Sequence, residues 1–82
     1  MDKIEAPTDL GIQVRMKRKK DGLTQMEAAA LCGVGTRFIS DLENGKATLE
    51  LGKTIQVLRG LGLDILVLPR GMADKVRKQW QS

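Results

Sequence analysis

The stretch LTQMEAAALCGVGTRFISDLENGK, residues 23–46, places two short helical patterns in succession with only a Gly-Val-Gly turn, residues 33–35, between them. Thr24 and Glu27 have the spacing of a capping box, which predicts that Thr24 caps the first of these helices. The Ala-rich run continues to about Cys32. The glycine that follows is suited to end the helix, because glycine adopts a left-handed backbone conformation without steric cost.

The second pattern predicts a helix from Thr36 to Glu43 that stops at Asn44-Gly45. Small side chains in the preceding helix allow the two helices to approach closely, and we expect Ala29 to be the point of close contact. Apolar and small residues from both helices and the turn predict a wedge that fixes their angle: Ala28, Ala29, Cys32, Val34, Ile39 and Leu42.

A further helix is predicted before this pair. It starts near the sequence PTDLG, with Thr8 as its cap and Asp9 in the first turn, where a carboxylate complements the helix dipole. The helix then becomes basic from Arg15 to Lys20 and stops at Asp21-Gly22. A basic run of this kind is typical of a solvated face, although part of it could contact phosphates.

A fourth helix is predicted after the pair, capped by Thr48 and ended by Gly60 and Gly62. Its apolar stripe is expected to contain Leu51, Ile55, Leu58 and either Leu61 or Gly62.

The segment LDILVLP, residues 63–69, is rich in branched residues and bounded by Gly and Pro, which favours a β-strand. A lone strand needs a partner for its backbone groups. We therefore expect it to pair with the same strand of a second subunit across a two-fold axis, with Leu63, Ile65 and Val67 as dimerisation residues. Residues 1–69 would form one domain, and residues 70–82 a charged tail that is either a short helix or disordered.

Two short helices joined by a tight turn, with a helix on either side, are typical of the helix-turn-helix arrangement. In that arrangement the outer face of the second helix enters the major groove of B-DNA and reads base edges from its first turn. That turn carries Gly35, Thr36, Arg37 and Ser40. Arg37 can donate two hydrogen bonds to guanine O6 and N7, and Thr36 and Ser40 can reach a base or a phosphate.

The residues LTQMEAA…GV…ISDLENGK resemble the lambda-repressor-like, xenobiotic-response-element family of DNA-binding domains, from Leu23 to Lys46. The resemblance implies that Thr24 and Gln25 lie at the backbone-binding start of the second helix, with Gln25 on a phosphate. It also implies that Thr36, Arg37 and Ser40 face the groove, and that Asn44 and Lys46 lie along the phosphates.

Two positions depart from the family pattern. Ala28 replaces the usual leucine, so Met26 or Phe38 is expected to fill the space if the packing is not looser. Gly35 replaces the usual Ser or Thr cap of the recognition helix. This costs only about a few tenths of a kcal/mol in capping but removes one possible base contact.

The layout after this domain is similar to that of HipB-type antitoxins. The similarity implies that the strand completes a dimer sheet, that the dimer represses its own operon, and that the body or tail binds a HipA-like kinase toxin. Trp80, the only tryptophan, would be the partner-binding anchor in the tail.

Composition agrees with a nucleic-acid-binding protein. The formal charge is +4, from 14 Lys+Arg and 10 Asp+Glu, which favours an anionic partner. There is no His or Tyr, no phosphate-binding loop and no nucleophile motif, so an enzyme is disfavoured and no cofactor is expected. The single cysteine, Cys32, excludes an internal disulfide and a structural zinc site, and is expected in the core. No secretory signal or membrane span is expected, so the location is predicted to be cytoplasmic.

The sequence therefore predicts a mainly α, four- to five-helix lambda-repressor-like domain with one C-terminal β-strand pairing across a homodimer. Its expected function is to repress transcription from an inverted-repeat operator in double-stranded DNA, as the antitoxin of a toxin–antitoxin pair. A stand-alone or phage-type regulator without a toxin is the alternative. An interaction adaptor that no longer binds DNA is a further alternative, from a different class.

Overall fold

The computed structural model describes residues 3–72 and residue 75. Within these residues four helices follow one another: α1 (Pro7–Lys20), α2 (Gln25–Cys32), α3 (Thr36–Glu43) and α4 (Leu51–Gly60). Helix α3 packs against both α1 and α2, and α2 also packs against α4. The mainly α, four-helix architecture is confirmed, and α3 is the helix that two neighbours hold in place.

The core of the described chain lies between all four helices. Its buried apolar residues are Val14, Ala28, Ala29, Cys32, Ile39, Leu42, Val57, Leu58 and Leu61. The predicted wedge is thus confirmed, with Val34 partly buried against it. The space beside Ala28 is not filled by Met26, which is 71% exposed, whereas Phe38 is partly buried and packs against the core.

The turn between α2 and α3 and the capping box before it have the predicted geometry. The Thr24 hydroxyl accepts a hydrogen bond from the Glu27 N–H (3.1 Å), and the Glu27 carboxylate accepts one from the Thr24 N–H (2.9 Å). The second of these bonds is the main reason why the pKa of Glu27 lies below its ordinary value. Gly33 ends α2 with a φ of 73°, which only glycine adopts freely.

The prediction that Thr8 caps α1 is wrong. Ala6 is the N-cap and Pro7 is the first helical residue, where the missing N–H of proline costs nothing. The side chain that caps the helix is that of Asp9. Its carboxylate accepts hydrogen bonds from the backbone N–H groups of Glu5 and Ala6, both 2.9 Å long.

The predicted start of α4 is also wrong, because Glu50 and not Thr48 is its N-cap. The two oxygens of the Glu50 carboxylate accept hydrogen bonds from the N–H groups of Gly52 (3.1 Å) and Lys53 (3.3 Å). A hydroxyl two residues earlier could not reach these first-turn donors, which a side chain at the cap position satisfies.

The inward face of α4 agrees with the predicted stripe at Leu58 and Leu61, which are buried, and differs from it at Leu51 and Ile55. Leu51 is 69% exposed and Ile55 is 38% exposed, whereas Thr54, Val57 and Leu58 are buried. The Thr54 hydroxyl donates a hydrogen bond to the backbone oxygen of Glu50 (3.0 Å), which lets a polar side chain occupy the buried face.

Two glycines permit the closest helix contacts. A Cβ on Gly11 of α1 would lie 2.5 Å from the backbone oxygen of Leu42 and 2.7 Å from that of Glu43. A Cβ on Gly60 of α4 would lie 2.6 Å from the sulfur of Cys32. Ala29 is buried as predicted, but it is these glycines that let α1 reach the end of α3 and α4 reach the end of α2.

Residues 63–69 form no strand in the described part of the chain. The Leu63 N–H donates to the Leu58 oxygen (2.8 Å), and its side chain packs partly against the core of its own chain. Large apolar side chains are exposed from Ile65 to Leu68, with Val67 91% exposed. The strand, which needs a second chain, stays a prediction, and Trp80 lies outside the described residues.

No helix in the described residues has both the length and the apolar character needed to span a bilayer.

Candidate nucleic-acid interface

Helix α3 has a buried side and an outward side. Ile39 and Leu42 are buried in the core, and Phe38 is half-buried. With 100° between successive residues, the opposite side of the helix carries a continuous set of polar and charged residues: Thr36, Arg37, Ser40, Asp41 and Asn44. The first turn of α3 therefore presents the residues predicted to read bases.

The start of α3 is open. Gly35 is the N-cap, is exposed, and makes no side-chain capping bond. Thr36 and Arg37 follow as exposed residues, and the Arg37 side chain is 90% accessible. A guanidinium in the first turn of a helix that is otherwise anchored in the core can reach outward without disturbing the fold.

The end of α3 is fixed by a Schellman motif. The Gly45 N–H donates to the Leu42 oxygen (3.1 Å), and the Lys46 N–H donates to the Asp41 oxygen (3.0 Å). Gly45 has a φ of 76°, and a Cβ there would lie 2.5 Å from the Thr8 methyl group of α1. Glycine is thus required at this position for two reasons, its positive φ and the closeness of Thr8. The motif places Lys46 beside the end of α3.

A buried ion pair ties the end of α3 to α1. Arg18 donates two hydrogen bonds to the Glu43 carboxylate, from Nε (2.6 Å) and Nη2 (2.9 Å), and a third from Nη1 to the Leu23 oxygen (2.8 Å). The two side chains are only 10% and 4% accessible. Hydrogen bonding to Glu43 raises the pKa of Arg18, so the guanidinium stays charged despite its burial.

Arg18 is the exception to the expectation that the basic run of α1 is a solvated face. Arg15, Lys19 and Lys20 are exposed, Lys17 is half-buried, and Arg18 is buried because it lies on the side of α1 that faces α3. Arg18 follows the buried Val14 by four residues, and Glu43 follows the buried Ile39 by four, so each lies one turn beyond a core residue. This four-residue spacing from a core residue is the feature of the sequence from which the burial of Arg18 and Glu43 could have been predicted.

Gln25 is joined to the same carboxylate. Its amide Nε2 donates to Glu43 Oε1 (3.3 Å), which links the first turn of α2 to the last turn of α3. An amide nitrogen carries two hydrogens, so one bond to Glu43 leaves a second hydrogen for another acceptor. Gln25 is half-buried, and its orientation is set by a charged residue that is itself fixed by Arg18.

Of the predicted site residues, Arg37 and Lys46 lie close to one common carboxylate, and the others occupy separate positions. Arg37 Nε and Lys46 Nζ both lie near Asp41 Oδ2, at 3.9 and 3.6 Å. Thr24 has its hydroxyl in the capping box, Gly35 and Asn44 are the two caps of α3, and Thr36 and Ser40 lie one turn apart. Asp41, which lies between the two cations, is not among the residues predicted from the sequence.

The comparisons with known proteins agree with this geometry. A family model described as a helix-turn-helix domain matches residues 9–68, which include α2, α3 and α4 and all but the first two residues of α1. The chain belongs to this helix-turn-helix family. The resemblance that the motif of residues 23–46 indicated is therefore confirmed.

Two relatives of this helix-turn-helix protein come from Sinorhizobium fredii (strain NBRC 101917 / NGR234). The uncharacterized HTH-type transcriptional regulator y4mF is 49% identical over 73 residues, which are 89% of this chain and 96% of that protein. The regulator y4dL is 31% identical over 65 residues, 79% of this chain but only 33% of that protein. The chain is thus a helix-turn-helix transcriptional regulator of about the same length as y4mF.

Solved structures of HipB are similar throughout this fold. A chain of the HipA-HipB-O2-O3 complex superposes with a TM-score of 0.77 and is 28% identical, covering 85% of this chain and 99% of that one. A chain of the HipB-O4 20mer complex gives the same values. Both structures are complexes of HipB, and the first also contains HipA.

Proposed function

We propose that this protein is a sequence-specific DNA-binding repressor and not an enzyme. The observation that carries the proposal is the outward side of α3, which presents exposed Thr36 and Arg37 and half-buried Ser40 on a helix that packs against both α1 and α2. To contact base edges, side chains must reach into the major groove from a helix whose position is fixed by the rest of the fold. The core contacts of α3 and the Arg18–Glu43 pair meet that requirement.

Backbone phosphates would be bound around this helix. Gln25 and Thr24 lie at the start of α2, where the helix dipole favours an anion, and the second amide hydrogen of Gln25 would be donated to a phosphate oxygen. Asn44 and Lys46 would continue the phosphate contacts beyond the end of α3. Lys46 is half-exposed and directed by the Schellman motif, which supports such a role.

Arg37→Ala is expected to weaken binding to the operator by about 1–3 kcal/mol and to relax the preference at one base position. The physical reason is the loss of two hydrogen bonds to a guanine edge. The affinity for the operator and for single-base variants would be measured by fluorescence anisotropy at several salt concentrations. The slope of log K against log salt should be about −0.9 per phosphate neutralised.

Arg59→Ala is the matched control for Arg37. Arg59 is also an exposed arginine, but it precedes Gly60, which packs on Cys32 at the end of α2 remote from Gln25. We expect this variant to bind the operator with nearly unchanged base preference. Equal base preference for wild type and Arg37→Ala would show that α3 does not read DNA through Arg37.

We further propose that two copies pair through residues 63–69 and bind an inverted repeat. The support is the exposed apolar run around Ile65 and Val67, which the chain itself leaves uncovered. In dimeric helix-turn-helix proteins the two recognition helices lie about one helical turn of DNA apart, ~34–36 Å. Leu63 would contribute at the edge of this interface, since part of its side chain already contacts its own core.

Val67→Pro is expected to give a monomer that binds the operator much more weakly, because proline removes a backbone donor from the strand pair. Val67 is exposed, so the substitution should leave the four helices folded. Val67→Thr keeps the N–H and the branched side chain and serves as the control. Analytical ultracentrifugation and operator binding would be compared for both variants, and a dimeric Val67→Pro protein would refute the strand pairing.

The regulator is proposed to act as the antitoxin of a HipBA-like pair, with Trp80 in the tail of residues 70–82 as a contact for a HipA-like kinase. Similarity to HipB, which one solved structure holds together with HipA, supports this partner class. Co-purification of the tagged protein with the products of its neighbouring genes tests it. A stoichiometric protein that is toxic when expressed alone would support the antitoxin role. Isolation of a bare homodimer that binds its promoter would favour a stand-alone regulator.

A further inference from the structure

Asp41 is the only acidic residue on the outward side of α3, between the last base-reading turn and the Schellman motif. Its carboxylate lies 3.9 Å from Arg37 Nε, one helical turn before it, and 3.6 Å from Lys46 Nζ, five residues after it. The Asp41 side chain is 26% accessible, whereas those of Arg37 and Lys46 are 90% and 51% accessible. The carboxylate is thus the least exposed of the three charged groups.

Considered without its neighbours, a carboxylate at this position disfavours DNA binding. It would approach a strongly negative surface, and each fixed negative charge near phosphates lowers affinity for DNA of any sequence. Its presence on the reading side therefore needs a compensating role. The two cations that lie beside it, and not the core, are the groups with which it interacts.

We propose that Asp41 is a positioning residue that sets sequence discrimination by holding Arg37 through its Nε atom. This inference rests on the proposed DNA-binding function of α3. Asp41 Oδ2 lies 3.9 Å from Nε, so the attraction is one between opposite charges and not a hydrogen bond, and the guanidinium can turn its two terminal nitrogens to a base while it stays near the carboxylate. Those two nitrogens are the donors that a guanine edge requires at O6 and N7.

The same contacts penalise DNA that lacks the matching base. On such DNA, Arg37 can gain a phosphate contact only by leaving Asp41, and the carboxylate then faces the negative duplex without its partner. On the matching site the guanidinium satisfies the guanine and Asp41 together. Discrimination thus comes partly from an unfavourable interaction on wrong sequences, which is a general way to obtain specificity.

The Schellman motif makes Lys46 the second partner. The Lys46 N–H donates to the Asp41 backbone oxygen at 3.0 Å, which places the backbone of Lys46 beside Asp41, and its ammonium lies 3.6 Å from the carboxylate. Because Lys46 is proposed to contact phosphate when DNA is bound, Arg37 is then the cation left beside Asp41. Arg37 is the partner that carries the sequence information.

The test compares wild type, Asp41→Asn, Arg37→Ala and the double variant on the operator, on an operator with the guanine replaced, and on random DNA. Asp41→Asn is expected to bind random DNA more tightly and to lose roughly tenfold of its preference for the guanine site. In the Arg37→Ala background the same substitution should no longer change base preference. Asp41→Glu, which keeps the charge, should restore part of the preference.

Asp21→Asn is the matched control. Asp21 also forms an i,i+4 ion pair, with Lys17 Nζ at 2.6 Å, but lies outside α3. The Asp21→Asn substitution changes the net charge by the same amount as Asp41→Asn and should leave base preference unaltered. Thermal unfolding of each variant separates a stability effect from a binding effect.

Unchanged base preference in Asp41→Asn, or an equal change in the Arg37→Ala background, would overturn the proposal. A failure of the proposed function would look different, because wild type itself would then bind all three DNAs equally.

Discussion

Arg18→Met is expected to lower the free energy of unfolding by about 3–5 kcal/mol, since it leaves the Glu43 carboxylate buried without its charged partner. The methionine side chain keeps the apolar stem of Arg18, so the effect measures the lost ion pair and not a cavity. Glu43 is 4% accessible and cannot recover its hydration without opening the contact between α1 and α3. Urea unfolding of wild type and Arg18→Met at one fixed protein concentration would measure this change in the free energy of unfolding.

Two further variants make this test specific. Arg18→Met combined with Glu43→Leu should recover most of the lost stability, because an apolar pair of similar volume is often as stable as a buried ion pair. Lys17→Met removes a neighbouring cation from the Lys17–Asp21 pair, whose side chains are 29% and 37% accessible. We expect it to cost less than about 1 kcal/mol. Similar losses in Lys17→Met and Arg18→Met would contradict a structural role peculiar to Arg18.

Gly11→Ala is expected to destabilise the protein by about 1–2 kcal/mol and to weaken operator binding. The added methyl group would meet two backbone oxygens of α3, those of Leu42 and Glu43, at 2.5 and 2.7 Å. Backbone atoms cannot rotate out of the way, so α1 and α3 must separate, and overpacking of this kind costs about 1–3 kcal/mol or more. The gain of about 1 kcal/mol in helix propensity offsets only part of the cost.

Gly52→Ala is the control for this prediction. Its methyl group would meet Glu50 Oε1 at 2.6 Å, and this flexible side chain can move aside at the loss of its capping bond to Gly52. Loss of the cap costs about 1 kcal/mol and the higher helix propensity of alanine gains about 1 kcal/mol, so we expect a net change close to zero in the free energy of unfolding, measured in the same urea titration. A Gly11→Ala protein as stable as wild type would show that α1 does not pack on the α3 backbone as closely as the structure has it.

The local features of the recognition motif could be predicted from sequence because they depend on neighbours in the chain. The Thr24–Glu27 capping box, the left-handed Gly33 and the stop at Asn44-Gly45 each involve residues within a few positions of one another. Such interactions follow from residue type and spacing alone. The same reasoning failed for the caps of α1 and α4, where several polar residues near the start competed and carboxylates, not threonines, made the bonds.

Contacts between distant segments could not be predicted in the same way. The inward side of α4 was misjudged because Leu51 and Ile55 have the right spacing for a stripe, but packing against α2 turns Thr54 and Val57 inward. A hydrophobic pattern shows that a helix has an apolar side and not which neighbours it meets. Exposed Leu51 and Ile55 therefore became visible only once all four helices were placed.

The sequence by itself determined the helix-turn-helix motif, the polar first turn of α3 with Thr36 and Arg37, and the basic character of the chain. These are properties of residue order, since a helix of known phase fixes which side chains share a side. The tertiary structure alone decided that Arg18 is a structural ion-pair partner and not a solvated cation, because Glu43 lies 25 positions away. It also decided that Lys46 lies beside Asp41, because the turn after α3 brings these two charges together, whereas the i,i+4 spacing of Arg37 and Asp41 can be read from the sequence.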